Sequence, residues 1–307
     1  MVRISEGVRE GMLHALFVCM TVVRRHQIDR MFTPVAVMGK SDSTIVTTAD
    51  KESDRAGKDL LGSIPGIIVH GEESGATGRG EIIVYLDGLD GSMPFAIGVG
   101  TSTVIVAAVK KATGEVIYCM VGEPQTGRVW RAGRDGCCES AVLDGATAFM
   151  SPRGQGWREV HVCDDVLASH KSRVLVDSYP GFTKDKRTIL SIPQLDRLHD
   201  LIHGQAGLLM LGSNGMHHAL IANGGKGAVG AITTAIGGPW DVCPVLLVMA
   251  AGGFARAFSV ILDATGRRTL EERNPHIVAS YDIVISGNTQ DTVDTLVDLL
   301  ERVFIGD

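Results

Sequence analysis

The chain opens on a helical rhythm. Val8, Met12, Ala15, Leu16, Cys19 and Val22-Val23 recur at spacings of three and four, with Arg24, Arg25 and Asp29 on the polar side. That spacing predicts one amphipathic helix over 5–30, ended by Pro34. A second helix is expected from Thr47-Thr48 to about Leu61, because Thr47 and Asp50 form a capping box with Asp in the place of Glu. Gly62 and Pro65 close it. The period then drops to that of strands. Residues 67–69, 81–86, 102–109, 115–121 and 128–131 are short, β-branched runs between glycine turns, and Ala112-Thr113-Gly114 reads as a hairpin turn.

The second half alternates. Strands are predicted at 174–176, 207–211, 227–232, 254–262 and 282–286, and helices at 194–203, 215–222, 241–251 and 289–304. Between the halves, 133–156 is rich in Gly, Ser and Pro and places a subdomain boundary. The expected organisation is α+β or α/β. Residues 1–150 would form an N-terminal α+β metal-binding subdomain, mostly an antiparallel sheet flanked by helices. Residues 151–307 would form a smaller α/β subdomain that contributes Asp241 and substrate contacts.

Composition narrows the function. Hydrophobic residues make up 45% and charged residues 21% of the 307, but aromatics only 5%, so the core rests on aliphatic side chains. The net charge is -6 with no long basic run, which argues against a nucleic-acid polymer as partner. An acidic protein that handles an anionic substrate must supply positive charge locally, through metal ions or helix N-termini. The first residues, with Arg3, Glu6, Arg9 and Glu10, do not read as a signal peptide, and no apolar run is long enough to span a bilayer. The six scattered cysteines form no C-x-x-C pair and suit buried thiols in a reducing cytoplasm.

The most informative stretch is Val84-Tyr85-Leu86-Asp87-Gly88-Leu89-Asp90-Gly91-Ser92. An apolar strand ends in two carboxylates three residues apart within a glycine turn. Such a turn can aim Asp87, Asp90 and the Leu89 carbonyl at one point, a set of hard oxygens that suits Mg²⁺. It also leaves the Gly91 and Ser92 N–H groups open to a phosphate. Taken alone, each acidic element has an ordinary structural reading. Asp-Gly turns are common, Glu72-Glu73 after a strand can be a solvated pair, Asp241 can be a helix N-cap, and Asp50 a first-turn charge.

The combination of Lys40, Thr47-x-x-Asp50, Gly71-Glu72-Glu73-Ser74, Asp87-x-Leu89-Asp90-Gly91-Ser92, Gly212-Ser213 and Trp240-Asp241 with Ala250-Ala251-Gly252-Gly253 resembles the inositol monophosphatase family over roughly residues 8–303. That family belongs to the lithium-sensitive, magnesium-dependent phosphatases, with fructose-1,6-bisphosphatases and 3'-phosphoadenosine 5'-phosphate phosphatases as relatives. The resemblance implies a layered αβαβα sandwich and a phosphomonoesterase acting on a small phosphorylated metabolite, an inositol or sugar phosphate first. It implies two or three Mg²⁺ held by Glu72, Asp87, the Leu89 carbonyl, Asp90 and Asp241, with Glu73 near a third metal. Asp50, Ser92 and Glu72 would act on the attacking water, while Leu89, Gly91, Ser92, Ser213, Asn214 and Asp241 would line the phosphate and substrate. A cytoplasmic homodimer is also implied.

Four positions depart from the family pattern, one of them Ala250, where the helix often carries Glu before Ala-Gly-Gly. Gly88 stands where Pro is usual, which costs stiffness. Thr234 stands where animal members carry a Glu that contacts inositol hydroxyls. Asn214 stands where small apolar residues are common, and either a hydrogen bond to substrate or a helix cap would explain it. The pair His217-His218 is expected to place one ring in the core and one in solvent. A member that binds metal or metabolite without turnover is the alternative from another class, and the five retained acids argue against it.

Overall fold

A computed structural model describes residues 4–29, 37–39, 45–134, 136–143, 156–168, 171–177, 189–225, 227–234, 236–262, 264, 268–278 and 281–305. Lys40 lies outside these residues. The chain begins with α1 (Glu6–Asp29), β1 (Val37–Gly39), β2 (Ile45–Thr47) and α2 (Thr48–Leu61). Then follow β3 (Ile67–Gly71), β4 (Gly75–Gly78), β5 (Ile82–Asp90), α3 (Ser92–Ile97), β6 (Thr103–Lys110), β7 (Val116–Glu123), β8 (Arg128–Gly133), β9 (Cys138–Val142) and β10 (Arg158–Val160). The second half runs β11 (Arg173–Asp177), α4 (Ile192–His203), β12 (Gly207–Leu209), α5 (Asn214–Ala222), β13 (Ala228–Thr233), α6 (Pro239–Val242) and α7 (Val245–Ala250). It closes with β14 (Phe254–Leu262), β15 (Arg268–Arg273), β16 (Ile283–Gly287) and α8 (Gln290–Ile305).

Among the described residues, β1 and β2 pair alone, and two larger sheets carry the fold. The first has the order β10-β9-β8-β7-β6-β5-β3-β4 and is antiparallel except for β3 beside β5. The second has the order β12-β11-β13-β16-β14-β15, with β11 parallel to both β12 and β13 and the other pairs antiparallel.

Strand alternation explains the layers. On β6, Val104, Val106 and Ala108 face Met12, Leu16 and Met20 of α1, while Ile105, Ala107 and Val109 face the other way. That second face packs on Ala219 and Ala222 of α5, Leu246 and Leu247 of α7, and Leu175 and Ala231 from the second sheet. The far side of the second sheet is covered by Leu195 and Leu198 of α4 and by Leu296 and Leu300 of α8. The result is a helix–sheet–helix–sheet–helix sandwich, whose middle helical layer carries Asp241.

Several expectations are revised. The helix expected over 241–251 is broken in two, because Pro244 has no N–H to continue the ladder and instead caps α7. The strand read as 81–86 continues to Asp90. His217 and His218 are both fully buried. The middle layer is covered on both sides by sheets, so a helix there has no solvent face on which to put the second ring. Strands such as β4 and β15, glycine-rich or largely charged, carry no apolar alternation by which to be read.

Candidate active site

The carboxylates of β5 are aimed by a register shift. Asp87 lies opposite Ile105 and Asp90 opposite Thr103, so three steps on β5 match two on β6. The extra residue makes a β-bulge. Without it, residues three apart would face opposite sides. With it, Asp87 and Asp90 share the face of Ile105, toward the middle helical layer. The sequence reading placed a terminal turn here, but the pairing shows a strand that continues through the bulge.

Gly88 is held tightly from behind. Its carbonyl accepts from Ser53 Oγ at 2.7 Å. A Cβ at residue 88 would meet Asp54 N at 2.5 Å and Asp54 Cα at 3.0 Å. Glycine is therefore required by the approach of α2, and packing supplies the stiffness that a proline ring would otherwise give. Gly91, with φ 88°, turns the chain into α3, and a Cβ there would meet Gly212 O at 2.9 Å. This close approach brings the two halves of the chain together.

Asp90 is buried and accepts four hydrogen bonds from the protein. Its Oδ2 accepts from Ser213 Oγ at 2.6 Å, Gly215 N at 2.7 Å and Thr103 Oγ1 at 2.8 Å, and its Oδ1 from Asn214 N at 3.3 Å. Ser213 is also the N-cap of α5, accepting from Met216 N at 3.2 Å, so the cap sits one residue before Asn214. The Asn214 side chain instead donates to Asp241 Oδ1 at 2.9 Å and accepts from Thr233 Oγ1 at 3.1 Å. Asn214 thus touches both acids and locks Asp241 beside the bulge. Asp241 is the third helical residue of α6, not its N-cap, and its Oδ2 accepts from the Gly237 and Gly238 amides at 2.7 and 2.9 Å. The neighbouring Trp240 ring packs near His70 and Tyr85, with centroids 6.1 and 6.5 Å away.

Asp50 serves two structures at once. Its Oδ2 accepts from Thr47 N at 2.7 Å, completing the capping box of α2, and its Oδ1 accepts from Ser92 Oγ at 2.5 Å. Glu72 follows β3, its N–H donating to Leu86 O at 3.0 Å, and its charge acts on Asp87. The Glu73 amide donates to Asp54 Oδ1 at 3.4 Å. Leu89 donates its N–H to Asp87 Oδ1 at 2.9 Å, and its carbonyl lies 3.4 Å from Ser92 Oγ, whose proton goes to Asp50.

Burial dominates the electrostatics. It lifts Asp87 well above the usual carboxylate range, and the charges of Glu72, Asp90 and Asp241 lift it further. Asp90 is raised by burial against the pull of its donors. Asp241 is pushed up to about 6 by burial and by Asp90. No Lys, Arg or His among the described residues forms an ion pair with Asp87, Asp90 or Asp241. Among the described residues, no three His, Cys, Asp or Glu side chains close into a finished ligand shell, in keeping with mutual repulsion. The donor chemistry nonetheless fits a hard divalent cation. Buried oxygens short of counter-charge, with Asp87 Oδ2 outside the hydrogen bonds above, are what Mg²⁺ recruits.

Sequence reasoning missed four residues here. Thr103 and Thr233 are hidden in strands, Asp54 lies one turn after Asp50 on α2, and Asp177 ends β11. Only Asp177 carried a readable signal, an apolar run ending in an acid, the pattern that singled out Asp87.

Buried carboxylates from both halves of the chain thus lie next to a serine–carboxylate pair, an arrangement whose donor chemistry fits a metal-assisted phosphoester hydrolase. The chain belongs to the inositol monophosphatase family, whose sequence profile matches residues 14–298. With the family comes the class of phosphomonoesterases acting on small phosphorylated metabolites. Solved structures share the fold at low identity. The extragenic suppressor protein SuhB of Bartonella henselae is 16% identical over 98% of this chain and 100% of that chain, with TM-score 0.73. The Thermotoga maritima IMPase is 18% identical over 94% and 97%, with TM-score 0.65. A staphylococcal IMPase solved with its products is 14% identical over 89% of both chains, with TM-score 0.61. No curated protein matches in sequence. No helix among the described residues is long and apolar enough to cross a membrane, and all six cysteines are free thiols.

Proposed function

We propose that this phosphatase is Mg²⁺-dependent and acts on an inositol or sugar phosphate, with two or three Mg²⁺ held by Glu72, Asp87, the Leu89 carbonyl, Asp90 and Asp241 and with Glu73 beside them. The observation that carries the reading is the bulge that turns Asp87 and Asp90 to one face, toward Asp241. Held there, such a metal would supply a lowered pKa for a water and charge stabilisation for the leaving oxygen.

The chain's own residues do the rest. Ser92 Oγ has its proton committed to Asp50, so its lone pairs face outward as an acceptor that orients a water. Glu72, at the mouth, takes a proton from that water. The Gly91 and Ser92 amides and Ser213 hold the phosphate, and Asn214 fixes Asp241 against it. Labour is divided between residues 1–150, which provide most ligands, and 151–307, which provide Asp241 and the substrate side. Gly88, which could have pointed to a non-catalytic scaffold, has a packing reason instead. A cytoplasmic homodimer inhibited by lithium completes the reading.

The test is phosphate release from a panel of esters that includes inositol 1-phosphate, fructose 1,6-bisphosphate and 3'-phosphoadenosine 5'-phosphate. Activity should require Mg²⁺, vanish in EDTA and favour the inositol or sugar monoester. Full activity in EDTA would end the metal reading, and a preference for the nucleotide or the bisphosphate would reassign the substrate.

A further inference from the structure

Asp177 is a buried carboxylate that the roles above leave unused. It ends β11 with 6% of its surface exposed. Its backbone carbonyl is engaged, accepting from Thr234 N at 2.9 Å, and it pairs in register with Thr233. Its carboxylate is not engaged: among the described residues no donor or cation reaches it. Its oxygens are not among the sealed, unpartnered atoms of the described residues, so the group is open to a donor brought by a ligand. Its register with Thr233 puts the two side chains on one face of the second sheet, the face from which Thr233 Oγ1 reaches Asn214 at 3.1 Å, and the charges that act on it are those of Asp90 and Asp241. Burial and these two neighbours push it up to about 8. Thr233 connects it to the site through Asn214, which holds Asp241.

Its position in the fold suggests the ligand. Glu72 follows β3 of the first sheet, while Asp177 ends β11 of the second, so the two approach the acid cluster from opposite sheets. In an in-line displacement the attacking water and the leaving alcohol stand on opposite sides of phosphorus. With water oriented at the Glu72 and Ser92 end, the alcohol is directed toward Asp177. This step rests on the function proposed above. We propose that Asp177 is a specificity-determining residue that accepts hydrogen bonds from the hydroxyl groups of a polyhydroxylated leaving alcohol. A buried acceptor with no donor among the described residues is left unpaired by an ester without hydroxyls, which is how such sites discriminate.

The test compares wild type, Asp177→Ala and the near-isosteric Asp177→Asn on two esters, myo-inositol 1-phosphate and phenyl phosphate, in saturating Mg²⁺. The expected result is a fall in kcat/KM of about tenfold or more on the polyol ester for Asp177→Ala, less for Asp177→Asn, and less than about twofold on phenyl phosphate. Both variants should melt at or above the wild-type temperature, since they remove an acid whose charge burial, Asp90 and Asp241 disfavour, whereas a structural aspartate would show the reverse. Equal losses on both esters, no loss on either, or a wild type that cleaves only the aryl ester overturns the inference. Should wild type cleave neither, the proposed function fails separately. Thermal shift with myo-inositol 1-phosphate and Mg²⁺ then decides the role of Asp177. Stabilisation present in wild type and lost in Asp177→Ala supports it, and equal stabilisation, or none in either, overturns it.

Discussion

Asp90 and Asp177 are buried to nearly the same extent, 7% and 6% exposed, yet the chain treats them in opposite ways. Asp90, on the rim formed by the first sheet, accepts four hydrogen bonds, two of them from hydroxyls. Asp177, on the rim formed by the second sheet, accepts none at its carboxylate among the described residues. Donors around a carboxylate favour its charged form and fix its direction, and their lack leaves an acid that yields to whatever enters. On the function proposed above, the first rim would be a rigid base for cations and phosphate, and the second an adaptable side for the variable part of a substrate.

The largest effect should come from breaking the donor-rich rim. In Asp90→Asn, one orientation of the amide sets its NH₂ against the Gly215 N–H, and the other sets it against the Asn214 N–H. Either way a donor faces a donor, and a negative charge needed by the cation is gone. Phosphate release should fall by about 10³-fold, roughly 4 kcal/mol of lost transition-state stabilisation. A variant retaining a tenth of wild-type activity would show that this rim is scaffolding only.

A smaller effect should follow from disturbing how that rim is pinned. Gly88→Ala drives a methyl group into the backbone of Asp54, where no side chain can move aside. Overpacking of this kind costs about 2–3 kcal/mol. The melting temperature should drop by about 5 °C, and more Mg²⁺ should be needed for half-maximal activity. An unchanged melting temperature would mean that α2 gives way freely, so that the bulge is less rigid than its packing indicates.

The same contrast explains what could be read from residues alone. The amphipathic helices, the Thr47–Asp50 cap and the strand pairs with strong alternation were legible because each rests on local periodicity or local hydrogen bonding. Asp87 and Asp90 were legible as a motif, but the bulge that aligns them was not, since register is a property of two strands together. The double burial of His217 and His218 depends on a second sheet closing over the layer, which helical periodicity alone cannot foresee. Asp177 was overlooked because one acid after one strand has little meaning until Asp90 and Asp241 are found beside it.

The smallest effect tests the donor-poor rim through pH in EDTA-treated protein. Asp177 is raised from 3.8 to about 8 and Asp241 from 3.8 to about 6. The folded state therefore keeps protons that the unfolded chain has released, and the stability these groups contribute at low pH is lost as pH rises through those values. His217 and His218 act with the opposite sign. Burial lowers them from 6.5 to about 3 and about 4, so their contribution is present above 6.5 and lost as pH falls. Below pH 6.5 the two trends oppose each other. Between 6.5 and 8 the histidines are silent, and Asp177 imposes a decline of about 1.4 kcal/mol per pH unit at most, to which Asp87 adds. Melting temperatures by calorimetry should fall across this window and flatten partly in Asp177→Asn. Saturating Mg²⁺ should flatten them further, because cations favour the ionised carboxylates. A melting temperature that rises from pH 6.5 to 8 in EDTA would mean that Asp177 is already ionised and satisfied, and the difference between the two rims would disappear.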